Sequence, residues 1–231
     1  MKTILETDAE YVCDVDAPCF QLLTPDEVLM VKSSKTQVLF RKGDNLTKQG
    51  AFASYVLFIV NGYVKQYVEG DQGKSYNLRI IKPGDFVGLS AVFSKNTFNY
   101  SAVALTDCLA FLIEKDVIGK VIRQNGLFGF SFIQRYCEQN TNLFETIRNV
   151  LYKQMNGRMA ETLLYLETFR PEFPEIFQIL SRKELADFAG ISTESAVKLL
   201  KNFEKDGLIE LKDKDIIILN TKTLQEVSLH G

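Results

Sequence analysis

Ser181-Arg182-Lys183-Glu184-Leu185-Ala186-Asp187-Phe188-Ala189-Gly190-Ile191-Ser192-Thr193-Glu194-Ser195-Ala196-Val197-Lys198-Leu199-Leu200-Lys201 is the stretch on which the fold turns. Ser181 and Glu184 have capping-box spacing: the hydroxyl can accept the Glu184 amide, and the carboxylate can reach back to the Ser181 amide. A short helix with Leu185, Ala186 and Phe188 inward follows. Gly190 supplies a turn. Ser192 is a suitable N-cap for a second helix from Thr193 to about Lys205. Within it Ala196, Leu199, Leu200 and Phe203 recur every three or four residues and form a buried stripe. Gly207 ends that helix. Beyond it, Leu208 to Leu211 and Ile216 to Leu219 flank Asp213-Lys214 and read as a two-stranded wing.

Helix, short turn, helix and hairpin make a winged helix-turn-helix. Such a unit reads DNA by presenting the first turn of its second helix to base edges in the major groove. The outward positions here are Thr193, Glu194, Val197, Lys198 and Lys201. Glu194 can accept from a cytosine amino group, Lys198 can donate to guanine, and Val197 can meet a thymine methyl. Arg182 and Ser192 sit near helix N-termini, where amides and cations hold phosphates. The plainer reading of the lysines is a solvated helix face. The capped first helix, the turn and the wing together disfavour it.

Bulk charge offers no support, so a local patch must carry any binding. The 231 residues hold 27 Lys+Arg against 29 Asp+Glu, and residues 153–231 alone hold 11 basic and 13 acidic side chains. Modest non-specific affinity and ordinary salt dependence are expected. Hydrophobic residues make up 46% and charged residues 24%, which excludes wholesale disorder. The single histidine, His230, excludes a histidine-held metal and an internal histidine base for a nucleophile. An enzyme on a cupin-like roll would need several histidines for its metal. No apolar stretch is long enough to span a membrane, and Met1 to Glu10 lacks the apolar core of a secretory signal. The expectation is therefore a non-enzymatic, cytoplasmic protein with no membrane partner and reduced cysteines.

Upstream, about Leu23 to Glu114 reads as short strands. Asn61-Gly62, Glu69-Gly70-Asp71-Gln72-Gly73 and Lys82-Pro83-Gly84-Asp85 lie between β-rich runs and supply turn chemistry. A barrel, roll or sandwich is expected. The period then changes. Ile133, Tyr136, Asn140, Leu143, Ile147 and Val150 alternate spacings of three and four, a heptad seam. One reading is a helix lying on the roll. The other is a parallel homodimer seam, favoured by Asn140, because a polar residue at an a position fixes register. Another amphipathic helix is expected from Met155 to Phe169, ended by Pro171 and Pro174. The division expected is an N-terminal extension (1–20), a sensory β-roll (21–122), a dimerisation helix (123–153) and a winged helix-turn-helix domain (154–231). The fold class is α+β.

From about Gln21 to Leu219 this order resembles the Crp/Fnr family, the cyclic-AMP receptor protein and its relatives. The resemblance rests on Asn61-Gly62-Tyr63-Val64, on Lys82-Pro83-Gly84-Asp85-Phe86-Val87-Gly88, on Gly157-Arg158-Met159-Ala160 and on the Ser181–Leu200 stretch. It implies a cyclic-nucleotide-binding-type roll (a double-stranded β-helix or jelly roll). It also implies a homodimer that reads a two-fold symmetric site on double-stranded DNA and contacts or blocks RNA polymerase. Glu194 falls at the family's acidic base-reading position and Lys198 at its basic one. Thr193 stands where cyclic-AMP-type members carry Arg.

The effector pocket departs further from the family. Cyclic-AMP binders carry Gly-Glu-Leu and then Arg-Ser-Ala. Here the segments are Gly88-Leu89-Ser90 and Tyr100-Ser101-Ala102. Leu89 replaces the ribose-binding Glu, and Tyr100 the phosphate-binding Arg. Leu143-Phe144 replaces the polar pair that meets adenine. A phosphate buried without its Arg pays a large desolvation penalty, so cyclic AMP is not the expected effector. Gly88 and Ser101 can still line a pocket. The plainer reading, with Leu89, Tyr100, Leu143 and Phe144 packed as core, is favoured.

Relatives that sense oxygen hold an iron–sulfur cluster on four cysteines, three of them near the N-terminus. Only Cys13 and Cys19 lie there, beside Asp14 and Asp16, which raise rather than lower a thiol pKa. Cys108 and Cys137 read as small buried hydrophobes. Neither a cluster nor haem is expected, and no cofactor is assigned. The alternative to a DNA reader is a nucleotide- or redox-sensing roll that acts through protein partners.

Overall fold

A computed structural model describes the chain except residues 7, 9–10, 13–19 and 94–95 and the side chain of Gln72. Cys13 and Cys19 therefore lie outside the described residues. The chain forms two units, Met1–Glu69 with Arg79–Asn142 and Gly70–Leu78 with Leu143–Gly231.

The N-terminal part is built on strands β1 (Lys2–Ile4), β2 (Lys35–Phe40), β3 (Asn45–Thr47), β4 (Tyr55–Asn61), β5 (Val64–Glu69), β6 (Ser75–Ile81, of which residues 79–81 fall in the first unit), β7 (Phe86–Val87), β8 (Ser101–Ala104) and β9 (Cys108–Glu114). They make two antiparallel sheets, ordered β1-β2-β9-β4-β7 and β3-β8-β5-β6. Alternation along β4 explains how the first sheet buries both faces. Leu57 and Ile59 join a cluster with Val38, Phe40, Val64, Val87 and Ala102. Val56 and Phe58 point the other way, into a cluster with Phe86, Leu89, Phe111 and Ile113. The second cluster is closed by α1 (Pro25–Ser34), α2 (Lys115–Gln124) and α3 (Gly126–Tyr152), through Val31, Ile118, Val121, Phe128 and Phe132.

Two turns require glycine. Gly62 has φ +88°, and a Cβ there would stand 2.4 Å from the Asp107 carbonyl oxygen. Gly88 has φ +82°, and its Cβ would meet the Phe98 ring at 2.7 Å.

α1 breaks the all-strand expectation for Leu23 to Glu114. Thr24 accepts the Glu27 amide at 3.4 Å, the Glu27 carboxylate accepts the Thr24 amide at 2.8 Å, and Pro25 takes the first helical position. β1, whose Lys2 to Ile4 pair with Leu39 to Gln37, is a further strand, upstream of the segment expected to be strands.

In the second unit α4 (Met155–Glu167), α5 (Ile176–Ile179), α6 (Arg182–Ala189) and α7 (Thr193–Lys205) precede a hairpin of β10 (Ile209–Lys212) and β11 (Asp215–Ile218), followed by α8 (Thr221–His230). Met159, Leu163 and Leu166 of α4, Leu185 and Phe188 of α6, Leu200 and Phe203 of α7 and Leu224 of α8 are all buried. α8 is an addition to the sequence reading, and Asn220 caps it through the Thr223 amide at 3.1 Å. Among the described residues no helix is long and apolar enough to cross a membrane.

Candidate nucleic-acid interface and sensory roll

α6 and α7 are set by their caps. The Ser181 hydroxyl accepts the Glu184 amide at 3.1 Å, and the Glu184 carboxylate accepts the Ser181 amide at 2.8 Å. α6 ends at Gly190, φ +61°. The Ser192 hydroxyl accepts the Ser195 amide at 3.1 Å and starts α7. With Ala196, Leu199, Leu200 and Phe203 buried, the helical period turns Thr193, Glu194, Lys198 and Lys201 outward, and all four are exposed. Val197 is half-buried at the edge of this face. Among the described residues no ion pair ties down Glu194, Lys198 or Lys201, so their charged ends are available to a ligand.

Arg182 differs from the lysines. It is half-buried, and burial pushes its guanidinium pKa down. Among the described residues its Nη1 is buried with no hydrogen-bond partner. The wing is held from behind by Arg170. This side chain donates to Asp215 Oδ1 and Oδ2 at 3.2 and 3.3 Å, to the Ile216 carbonyl at 2.5 Å and to Glu167 at 3.0 Å, and it lies 5.0 Å from the Phe177 ring centroid. The wing tip carries Asp213 at φ +54°, with exposed Lys212 and Lys214 on either side.

The roll residues expected at an effector pocket are spoken for by the chain itself. Leu89 is 1% exposed and packs in the cluster with Phe86 and Phe132. The Tyr100 hydroxyl accepts the Gly88 amide at 2.7 Å, and burial pushes the phenol pKa up. Ser101 is wholly buried. Its hydroxyl donates to Glu69 Oε1 at 2.5 Å and accepts the Gln49 amide at 3.0 Å. Lys48 Nζ donates to both Glu69 oxygens, at 2.7 and 2.9 Å. Lys48 first, then Ser101, holds the Glu69 carboxyl below the ordinary carboxylate range.

Two expectations require correction. Leu143 and Phe144 are not packed core: both are exposed on α3, Phe144 at 69%. Cys137 is likewise exposed rather than a buried hydrophobe, while Cys108 is buried as expected. The cause is the same for all three. Phe128, Gly129 and Phe132 bury the early turns of α3, but its later turns present the apolar a and d positions, with Cys137 and Phe144 beside them, to solvent. Ile133, Tyr136, Leu143, Ile147 and Val150 are all exposed and Asn140 is half-buried. Phe130 and Leu151 widen the stripe.

A two-sheet roll followed by a long helix and a winged helix-turn-helix is the architecture of a DNA-binding regulator with a separate N-terminal domain. Comparison with known families gives the same answer in both parts. Residues 37–125 match the cyclic nucleotide-binding domain and residues 157–227 the Crp-like helix-turn-helix domain, together more than half of the chain. The Anaerobic regulatory protein of Bacillus subtilis is 26% identical over 206 residues, covering 87% of each chain. The cAMP-activated global transcriptional regulator CRP of Salmonella typhimurium is 27% identical over 182 residues, covering 77% of this chain and 86% of the relative.

Among solved structures, FixK2 from Bradyrhizobium japonicum superposes with a TM-score of 0.74 at 18% identity, covering 85% of this chain and 98% of that one. The c-di-GMP responsive regulator CLP of Xanthomonas campestris gives 0.73 at 19%, covering 84% and 99%. At these identities the superpositions establish the fold. The chain belongs to the Crp/Fnr family of transcription regulators and carries its helix-turn-helix DNA-binding domain.

Proposed function

We propose that the chain acts as a homodimer on a two-fold symmetric DNA site, in response to an effector other than cyclic AMP. The observation that carries the DNA part is the outward face of α7, where Thr193, Glu194, Lys198 and Lys201 stand exposed on a helix whose opposite face is buried. Thr193, Glu194, Val197 and Lys198 read base edges. Ser192, Arg182 and Lys201 hold phosphates. The tests are Glu194→Ala, expected to change base preference in selection from random duplexes, and Lys201→Ala, expected to weaken all sequences alike and lower the salt slope by about one. Unchanged preference in the first, or loss at a single base in the second, contradicts the assignment.

The dimer part rests on α3. Ile133 and Ile147 at a, with Tyr136, Leu143 and Val150 at d, leave an apolar stripe in water that a second copy covers. Asn140 at a then fixes the register. In this reading residues 21–122 sense, 123–153 dimerise and 154–231 read DNA, and RNA polymerase is the further partner.

The effector part rests on Leu89, Tyr100 and Ser101. A cyclic phosphate would meet the Tyr100 phenol, already bonded to the Gly88 amide, and a carboxylate, Glu69, already on Ser101. Anion against anion in a half-buried site is unfavourable.

A further inference from the structure

Within the first unit, two guanidinium groups close on one carboxylate. Arg79 Nη1, from β6, and Arg135 Nη1, from α3, each stand 3.6 Å from Asp85, one on each of its oxygens. That is ion-pair range but longer than a hydrogen bond. Arg79 Nε donates to Gln66 Oε1 at 2.8 Å. Arg135 Nη1 donates to the Gly84 carbonyl at 3.2 Å, and its guanidinium lies 5.9 Å from the Phe86 ring centroid. Among the described residues Arg79 Nη2 is buried and has no acceptor.

The charges do not cancel. Two guanidinium groups against one carboxylate leave one positive charge over. The Arg79 side chain is 17% exposed, so water screens it poorly. A buried N–H without an acceptor is a desolvated donor that nothing repays. Asp85 and Arg135 are about equally open, at 27% and 26%, and Asp85 is held only at ion-pair distance, so the cluster can be approached from their side.

We propose that Arg79 and Arg135 form a binding site for a small oxyanion, a carboxylate or a phosphate, which seats beside Asp85 and takes the free Arg79 Nη2 donor. Planar guanidinium forks suit two-oxygen acceptors, and the surplus charge sets the sign of the ligand. The proposal rests on reading this unit as the sensory part, and it names the class of ligand sensed. Arg135 supplies the link onward. It belongs to α3, the helix proposed to join two copies, and an anion that draws its guanidinium from the Gly84 carbonyl alters how that helix is held.

The test is calorimetric titration of the full-length chain with succinate and, separately, with inorganic phosphate, at ionic strength held constant with sodium chloride. Saturable binding of either is expected. Succinate alone assigns an organic carboxylate, and phosphate alone a phosphate. Arg79→Gln and Arg135→Gln should each weaken binding at least tenfold, and Arg79→Lys should restore part of it. Asp85→Asn should tighten binding by about tenfold by removing the competing charge. Arg41→Gln, at an exposed side chain paired with Asp107, should leave binding unchanged. No saturation with either anion, or full affinity in folded Arg79→Gln, overturns the site. Duplex binding is measured on the same samples: protein that holds DNA but neither anion loses this site while the regulator reading stands.

Discussion

The Tyr100 hydroxyl accepts the amide N–H of Gly88 at 2.7 Å, so a phenol stands where cyclic-AMP-type relatives carry a guanidinium and is itself bonded to the segment that would cradle the ligand. Tyr100→Phe leaves that buried amide without an acceptor. A loss of about 1–3 kcal/mol in chemical denaturation is expected. Calorimetric titration of the parent chain with cyclic AMP should show no saturable heat, and saturation would contradict the effector assignment.

Glu69 predicts a pH dependence. Lys48 and Ser101 hold its carboxyl below the ordinary 4.5, so between that value and the lower folded one the unfolded chain binds the proton that the folded chain does not. The stability contributed is complete above about pH 4.5 and is lost as pH falls through the folded value. Glu69→Gln removes this contribution and should flatten the acid limb of a stability-versus-pH curve. An acid limb as steep as the parent's would show that the Lys48–Glu69–Ser101 contact is not maintained in solution.

The stripe on α3 predicts a mass. Leu143→Asp puts a charge at a d position of the proposed seam, where its partner would be a second Asp across the two-fold axis. Sedimentation equilibrium should give the monomer mass for the variant and twice that for the parent. A dimeric Leu143→Asp would place the seam elsewhere.

The reader of DNA was legible in the sequence because its signals are local. Ser181 and Glu184, Gly190, and Ser192 with the Ala196-Leu199-Leu200-Phe203 stripe lie within one stretch, and each found its expected partner. The strands of the roll were legible for the same reason, from turn residues such as Asn61-Gly62. α1 went unread although Thr24-Pro25-Asp26-Glu27 carries a capping box and Pro at the first turn, because the surrounding strands set the expectation for the whole segment. The apolarity of Leu143 and Phe144 points to core, but it does not say whether a side chain is covered by its own chain or by another. The Arg79–Asp85–Arg135 cluster had no sequence signal, since β6, the turn before β7 and α3 meet only in the fold. Glu69 on Ser101 is similarly a long-range contact, joining β5 to β8.

In the proposed complex α7 enters a groove of duplex DNA twice, once from each copy of a two-fold dimer. Selection of bound duplexes by the full-length chain from a random library, followed by footprinting of the winners, tests it most directly. A two-fold symmetric sequence is expected, with half-sites about 34 Å apart, one helical turn, and protection on both. A winning sequence with a single unpaired half-site, or no enrichment at all, would contradict it.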